Sequence, residues 1–322
     1  MRAFQLTEYV GPGGLEQVEL PTPEPGPEEV LVDVRAIGVN FPDLLMTKGQ
    51  YQYRPELPTV PGCEVAGEVV RAPDGSGWSP GDRVAAFVWQ GAFAEQAVLP
   101  LSSLVRVPES VDLSFAAAMV VNYHTVHFAL ARRGRVQPGE TVLVMGAGGG
   151  IGTAAVQVAQ GLGARVIAGV ADESQVQTAE AAGAPEVVVL REGFSGRLRE
   201  LTDGRGVDAV LDPLGDWLFD EALRTLAPEG RILVIGFAAG GIPQVKVNRL
   251  LLRNASVVGV AFGAFLELDP ELMVEQARSL DRMVSDGVVR PQIGARFGFD
   301  QLPDALARLD RGEIPGKGVV TL

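Results

Sequence analysis

Gly146, Gly148, Gly149, Gly150 and Gly152 crowd into one turn directly after Thr141–Met145, a β-branched and apolar run the length of one buried strand. Beyond them, TAAVQVAQGLG sets Ala155, Val158, Ala159 and Leu162 on one helical face. Strand, glycine turn and helix in that order can hold a pyrophosphate. Glycine lets the backbone turn tightly and approach the ligand, while the helix N-terminus offers free N–H donors and the positive end of a dipole. The fit to G-x-G-x-x-G is not literal: Gly146 and Gly148 take the first two places and Ile151 the third, whereas the spacing Gly146, Gly149, Gly152 holds. A glycine-rich turn that binds nothing is the competing reading, and the flanking strand and helix speak for the nucleotide.

Charge and composition narrow the partners. With 27 Lys and Arg against 40 Asp and Glu the chain carries −13, a field that repels nucleic acid and anionic membrane alike. A polyanionic cofactor must then meet local positive groups. The single cysteine, Cys63, excludes an internal disulfide and a four-cysteine zinc site. The first residues, MRAFQLTEYVGPGG, lack a signal-peptide apolar core, and the longest nearly apolar run, Thr141 to Val156, is too short and glycine-rich to span a bilayer. These features point to a cytoplasmic protein. His124 and His127 stand three apart on a helical stretch, but no third ligand lies nearby, and they read as polar helix residues.

The elements that must position the turn fall into two patterns. Up to about Pro108 the chain reads as mostly β, with strand-like runs Glu29–Ile37, Val65–Val70, Arg83–Val88 and Ala94–Leu99 between proline and glycine turns. A helix is expected from Ser114, as N-cap, to Arg133. From Thr141 strands Thr141–Met145, Arg165–Gly169, Glu186–Leu190, Asp208–Leu211, Arg231–Ile235 and Ala255–Val260 alternate with helical segments, which predicts a parallel sheet covered on both faces. Two further helices, Pro270–Ser285 and Leu302–Arg311, precede a strand-like run from Lys317 to Leu322, which is expected to return to the N-terminal domain.

Several blocks in one order then resemble the zinc-free quinone oxidoreductase, or ζ-crystallin-like, branch of the medium-chain dehydrogenase/reductase superfamily. They are GVNFPDLLMTKGQY, LPTVPGCEVAGEV, GDRVAAF, GAFAEQAVLP, the glycine stretch, GVDAVLDPLG, GRILVIGFAAG and GKGVV. The resemblance implies an α/β chain: a GroES-like, mostly β domain over 1–115, a Rossmann domain with a doubly wound parallel sheet over 116–262, and a segment 263–322 completing the first. It implies a homodimer that reduces quinones or α,β-unsaturated carbonyls with NADPH. Zinc-dependent relatives carry a cysteine where this chain has Asn40 and a histidine where it has Cys63, so no metal is expected.

Without a metal, the acceptor oxygen needs another electrophilic aid, such as a hydroxyl or amide donor. The resemblance places Asn40 near the nicotinamide, orienting its carboxamide or the acceptor; capping the Phe41-Pro42-Asp43 turn is the alternative. Tyr51 matches a tyrosine lining the substrate pocket, with Tyr53 as its rival; a phenol can give a proton or stack on a flat quinone. Water can also supply that proton, so a dedicated acid is not required. Thr125 matches a cofactor contact, against plain helix packing. Phe237 and Phe262 stand at the carboxyl ends of strands, where a cofactor passes, against core burial. Lys317 matches a basic residue near the phosphates, against a solvated charge.

Cofactor choice turns on the end of the second strand, where an acid would bind the ribose 2′-OH. Val170 and Ala171 stand there, which allows the 2′-phosphate of NADPH, but Asp172 and Glu173 follow at once. NADPH-using relatives carry a lysine where this chain has Gln175, and Arg191 is the nearest replacement. NADPH is the expectation, with NADH as the alternative. An enoyl-thioester reductase, or a nicotinamide-nucleotide-binding protein with little turnover, are the other functions considered.

Overall fold

The computed structural model describes residues 1–322, which divide into two compact units. The first unit comprises Met1–Val121, Pro270–Glu275 and Ile293–Leu322; the second comprises Asn122–Asp269 and Gln276–Gln292. The expected boundary at 262/263 therefore moves. Most of the helix Leu272–Ser285 packs within the second unit, where Gln276 Nε2 donates to the His124 carbonyl at 3.0 Å.

The first unit is built on a seven-stranded sheet in the order Ile293–Gly298, Lys317–Thr321, Glu29–Val39, Glu64–Arg71, Arg83–Phe87, Leu104–Arg106, with Gln96–Pro100 also pairing Glu29–Val39. Strands Arg2–Leu6, Leu15–Glu19, Leu104–Arg106 and Ile293–Gly298 are additions to the sequence reading. Alternating valines at 30, 32 and 34 bury one face of the long central strand, and its end, Ala36 to Val39, is buried on both. The C-terminal strand returns to this sheet: Lys317–Thr321 runs antiparallel to Glu29–Val39, with Gly318 opposite Val39.

The second unit holds a six-stranded parallel sheet in the order Val187–Val189, Arg165–Val170, Thr141–Met145, Val207–Asp212, Leu226–Val234, Ser256–Gly259. The sequential order reverses between Thr141–Met145 and Val207–Asp212, so ligands are expected at the carboxyl ends there. Val142, Leu143, Val144 and Met145 are all fully buried, and burial of each such side chain stabilises by roughly 1.5–3 kcal/mol. Arg231 staples the opposite ends of the strands: its guanidinium meets the Glu140 carboxylate, and its Nε donates to the Gly134 carbonyl at 2.6 Å.

The long helix expected from Ser114 to Arg133 is instead three pieces: Leu113–Ala117, Val120–His127, and a π-helical stretch Phe128–Arg133. Its N-cap is Asp112, whose Oδ1 accepts from the Ser114 N–H at 2.9 Å; a carboxylate outcompetes the hydroxyl for the free donors of the first turn. No helix is long and apolar enough to cross a membrane.

Candidate active site

Three neighbouring strands of the first unit bring Asn40, Glu64 and Lys317 together. Gly318 pairs with Val39, so Lys317 falls opposite Asn40; Val65 pairs with Ile37, so Glu64 falls opposite Gly38. Asn40 is 4 % exposed, Glu64 0 % and Lys317 4 %. Lys317 Nζ donates to Asn40 Oδ1 at 2.5 Å and to Glu64 Oε2 at 2.6 Å. Asn40 Nδ2 donates to Glu64 Oε2 at 2.9 Å and to the Gly38 carbonyl at 3.1 Å. The other carboxylate oxygen, Glu64 Oε1, accepts from the Val121 N–H at 2.7 Å. Buried charges survive only when paired and hydrogen-bonded in this way. Gly38 leaves the room: a Cβ there would stand 2.1 Å from Glu64 Oε2 and 2.5 Å from the Ala117 carbonyl oxygen.

This geometry corrects the reading of Lys317. Its ammonium is buried and committed to a carboxylate and an amide, so it is no solvent-facing hand for phosphate. Asn40 does precede the helix Phe41–Thr47, but its side chain does not cap it. The cap runs the other way, from the Asn40 N–H to Asp43 Oδ2 at 2.9 Å.

Asp43 and Cys63 lie beside this triad. Asp43 is fully buried, and burial raises its carboxyl to about 6, although the Cys63 thiol, the Asn40 N–H and the Lys317 charge favour ionisation. Burial, then the Asp43 and Glu64 charges, push the Cys63 thiol well up, so it is a protonated thiol and no nucleophile. Burial, with smaller contributions from Cys63 and Asp43, pushes the Tyr51 phenol up to about 12. Three half-buried aromatic rings stand nearby in the chain: Tyr53 lies 5.5 Å from Trp89, and Phe87, opposite Glu64 in the sheet, meets Trp89 edge-on at 5.1 Å.

These donors do not make a zinc site. Catalytic zinc takes three ligands of Cys, His or carboxylate type. Here an ammonium lies within hydrogen-bond distance of both Asn40 and Glu64, and no three His, Cys, Asp or Glu side chains converge as metal ligands.

In the second unit the glycine turn sits at the reversal point of the sheet. Gly152 admits no side chain, since a Cβ would stand 2.0 Å from the Gly146 carbonyl oxygen. Gly149 is open, with nothing nearer than 3.7 Å, and it precedes the helix Gly150–Gly161. The N–H groups of that first turn, including Ile151, have no acceptor within the helix. The turn therefore fits a pyrophosphate. Gln175 is brought onto it: a Cβ at Gly148 would meet Gln175 Oε1 at 2.7 Å, and the same oxygen accepts from the Ala171 N–H at 3.2 Å. Asp172 turns into its own loop, accepting from the Ser174 N–H at 2.8 Å, and these bonds to Ser174 hold its carboxyl below the usual range. Arg191 stands 3.8 Å from Glu173 with both side chains exposed.

Thr125 is 9 % exposed on the helix Val120–His127. Phe237 is exposed and lines a cavity of about 250 Å³ with Phe219, Val234 and Val257. Phe262 is 5 % exposed, and its ring centre stands 6.0 Å from that of Phe128.

Sequence reasoning passed over Glu64, Asp43 and Asp212. Asp212 ends the fourth strand of the parallel sheet; its Oδ1 accepts from the Leu214 and Gly215 N–H groups, both at 2.9 Å, pinning the loop that abuts Gly146. The available signal was a carboxylate inside each apolar run, Cys63–Val65 and Ala209–Pro213, where only a bonded acid is tolerated.

Comparison with known proteins agrees with this architecture. Residues 26–109 match the alcohol dehydrogenase GroES-like domain, and residues 150–278 match the zinc-binding dehydrogenase family. A mouse quinone oxidoreductase-like protein 2 is 37% identical over 325 residues, covering 100% of this chain and 92% of its own. The crystal structure of a probable oxidoreductase from Mycobacterium abscessus superposes with a TM-score of 0.92 at 47% identity, covering 100% and 99% of the two chains. A mycobacterial protein solved in complex with NADPH superposes with a TM-score of 0.93 at 34% identity, over 100% of both chains. In sequence and fold alike, the chain belongs to the quinone oxidoreductases of the medium-chain dehydrogenase/reductase superfamily.

Proposed function

We propose that this protein reduces a quinone or an α,β-unsaturated carbonyl with NADPH, and that it does so without a metal. The observation that carries the reading is the glycine turn at the reversal point of the parallel sheet, with Gln175 folded onto it. Bound NADPH would supply the hydride. The turn and the first N–H groups of the helix Gly150–Gly161 take the pyrophosphate. Ala171 offers no competing acid, Asp172 is turned into Ser174, and exposed Arg191, on the loop after the neighbouring strand Val187–Val189 and 3.8 Å from Glu173, is the cation for a 2′-phosphate.

In the first unit, Tyr51, Tyr53, Phe87 and Trp89 suit a flat conjugated acceptor. The Tyr51 phenol stays protonated at neutral pH, so it donates a hydrogen bond to an acceptor oxygen or yields to water as the proton source. Asn40 orients what lies before it, and Thr125 contacts the cofactor.

The partner in solution is a second copy. The strand Ser256–Gly259 is an edge of the parallel sheet; it carries exposed Val257 and is preceded by Leu251 and Leu252, which are 76% and 80% exposed. Light scattering of the protein and of Val257→Lys checks this pairing.

The deciding experiment is steady-state oxidation of NADPH and NADH with an ortho-quinone and with a simple enone, chelator present. Turnover led by NADPH and quinone is expected. Tight nucleotide binding without reduction of either acceptor would overturn the enzyme reading in favour of a nucleotide-binding role.

A further inference from the structure

We propose that Lys317 and Glu64 are positioning residues that hold the Asn40 carboxamide in one of its two orientations, so that Asn40 offers a ligand an acceptor and never a donor. The inference rests on the proposed function for its kinetic consequence, but on geometry alone for the orientation. Both hydrogens of Asn40 Nδ2 are spent, one on Glu64 Oε2 and one on the Gly38 carbonyl. The Asn40 Oδ1 takes one hydrogen of the Lys317 ammonium and keeps its second lone pair. Turning the amide over would face Nδ2 to the ammonium and set Oδ1 against a carboxylate and a carbonyl. All three bonds would be lost and like would face like, in a place where unmade bonds are costly.

The carboxamide is therefore fixed by charge rather than by packing. An acceptor so held can anchor an N–H, such as that of a carboxamide, or an O–H of a reduced product. It cannot steady an oxyanion, so the electrophilic aid to the acceptor oxygen comes from elsewhere. Lys317 and Glu64 act through Asn40 and touch nothing that reacts.

The test is made on the full-length protein. Side-chain amide NMR follows exchange of the Asn40 carboxamide protons, assigned by their loss in Asn40→Ala, and turnover is measured in parallel. In the parent these protons should exchange about a hundredfold more slowly than those of exposed Asn254. The neutral pair Glu64→Gln/Lys317→Met should speed that exchange by about tenfold and cut kcat by about tenfold, while in the Asn40→Ala background the same pair should cost nothing more. Equal losses with and without Asn40, or unchanged exchange in the double variant, would overturn the proposal. Exchange in the parent as fast as at Asn254 would also overturn it, even if the double variant fails to fold. A parent that exchanges slowly yet turns over no acceptor would leave the orientation standing and remove the enzyme reading.

Discussion

Asp43 returns a hydrogen bond to the start of its own helix, its Oδ2 accepting from the Asn40 N–H at 2.9 Å, while its Oδ1 is buried without a partner. Burial outweighs the Cys63 thiol, the Asn40 N–H and the Lys317 charge, and the carboxyl is raised from 3.8 to about 6. Cys63, Glu64, Lys317 and Tyr51 are the titratable groups that face it.

A stability slope follows. Between about pH 4 and pH 6 the folded chain keeps a proton on Asp43 that the unfolded chain has released. The contribution of this group is full at the acid end and is lost as pH rises through about 6, with a ceiling of about 3 kcal/mol. Urea unfolding across that range should show Asp43→Asn with a flatter dependence than the parent; parallel curves would show that Asp43 ionises freely in the fold.

Two glycines in the same turn should separate folding from binding. Gly152→Ala drives a methyl into the Gly146 carbonyl and should lower stability by about 1–3 kcal/mol or more. Gly149→Ala meets nothing closer than 3.7 Å, and its φ of −96° suits alanine, so stability should stay within about 0.5 kcal/mol. Its methyl nevertheless faces the space assigned to the pyrophosphate, and NADPH affinity should weaken by about tenfold. Thermal melts with nucleotide titration check both.

Cofactor preference should be adjustable from the loop after the second strand. Gln175→Lys adds a cation beside Ala171 and Gly148 and should raise the NADPH over NADH ratio of kcat/KM by about tenfold. Arg191→Ala should lower it, leaving the NADH value unchanged. Equal effects on both nucleotides would remove Arg191 from the 2′-phosphate.

Trp89 connects Tyr53 and Phe87 into one aromatic surface. Trp89→Ala should raise KM for a polycyclic ortho-quinone by about tenfold and leave a small enone nearly unaffected. A common rise for both acceptors would mark Trp89 as a packing residue.

The two units differ in how far the sequence exposes them. The parallel sheet was legible because each strand is a short apolar run between helical segments; Thr141–Met145 matches to the residue, and Gly150–Gly161 falls one short of its expected end. The helix from Ser114 was misread because its composition favours helix throughout, whereas Ala118 and Met119 break it just after Leu113–Ala117, the piece that packs on the first unit's sheet. Asn40 and Lys317 were each singled out, but not as partners, because 277 residues separate them and only the pairing of Gly318 with Val39 reveals the contact. Lys317 in isolation looks like any late basic residue; beside Glu64 it is half of a buried pair.

The return of Lys317–Thr321 to the first sheet also sets an order of assembly. A ribosome makes Asn40 and Glu64 early, then the whole second unit, and Lys317 only afterwards. Until then Glu64 lacks its counter-charge and the edge of Glu29–Val39 that receives Lys317–Thr321 stays open. The second unit can fold as it emerges, but the first closes last, so a chain halted between Gln292 and Lys317 carries a whole nucleotide fold and an unfinished sheet edge that invites aggregation.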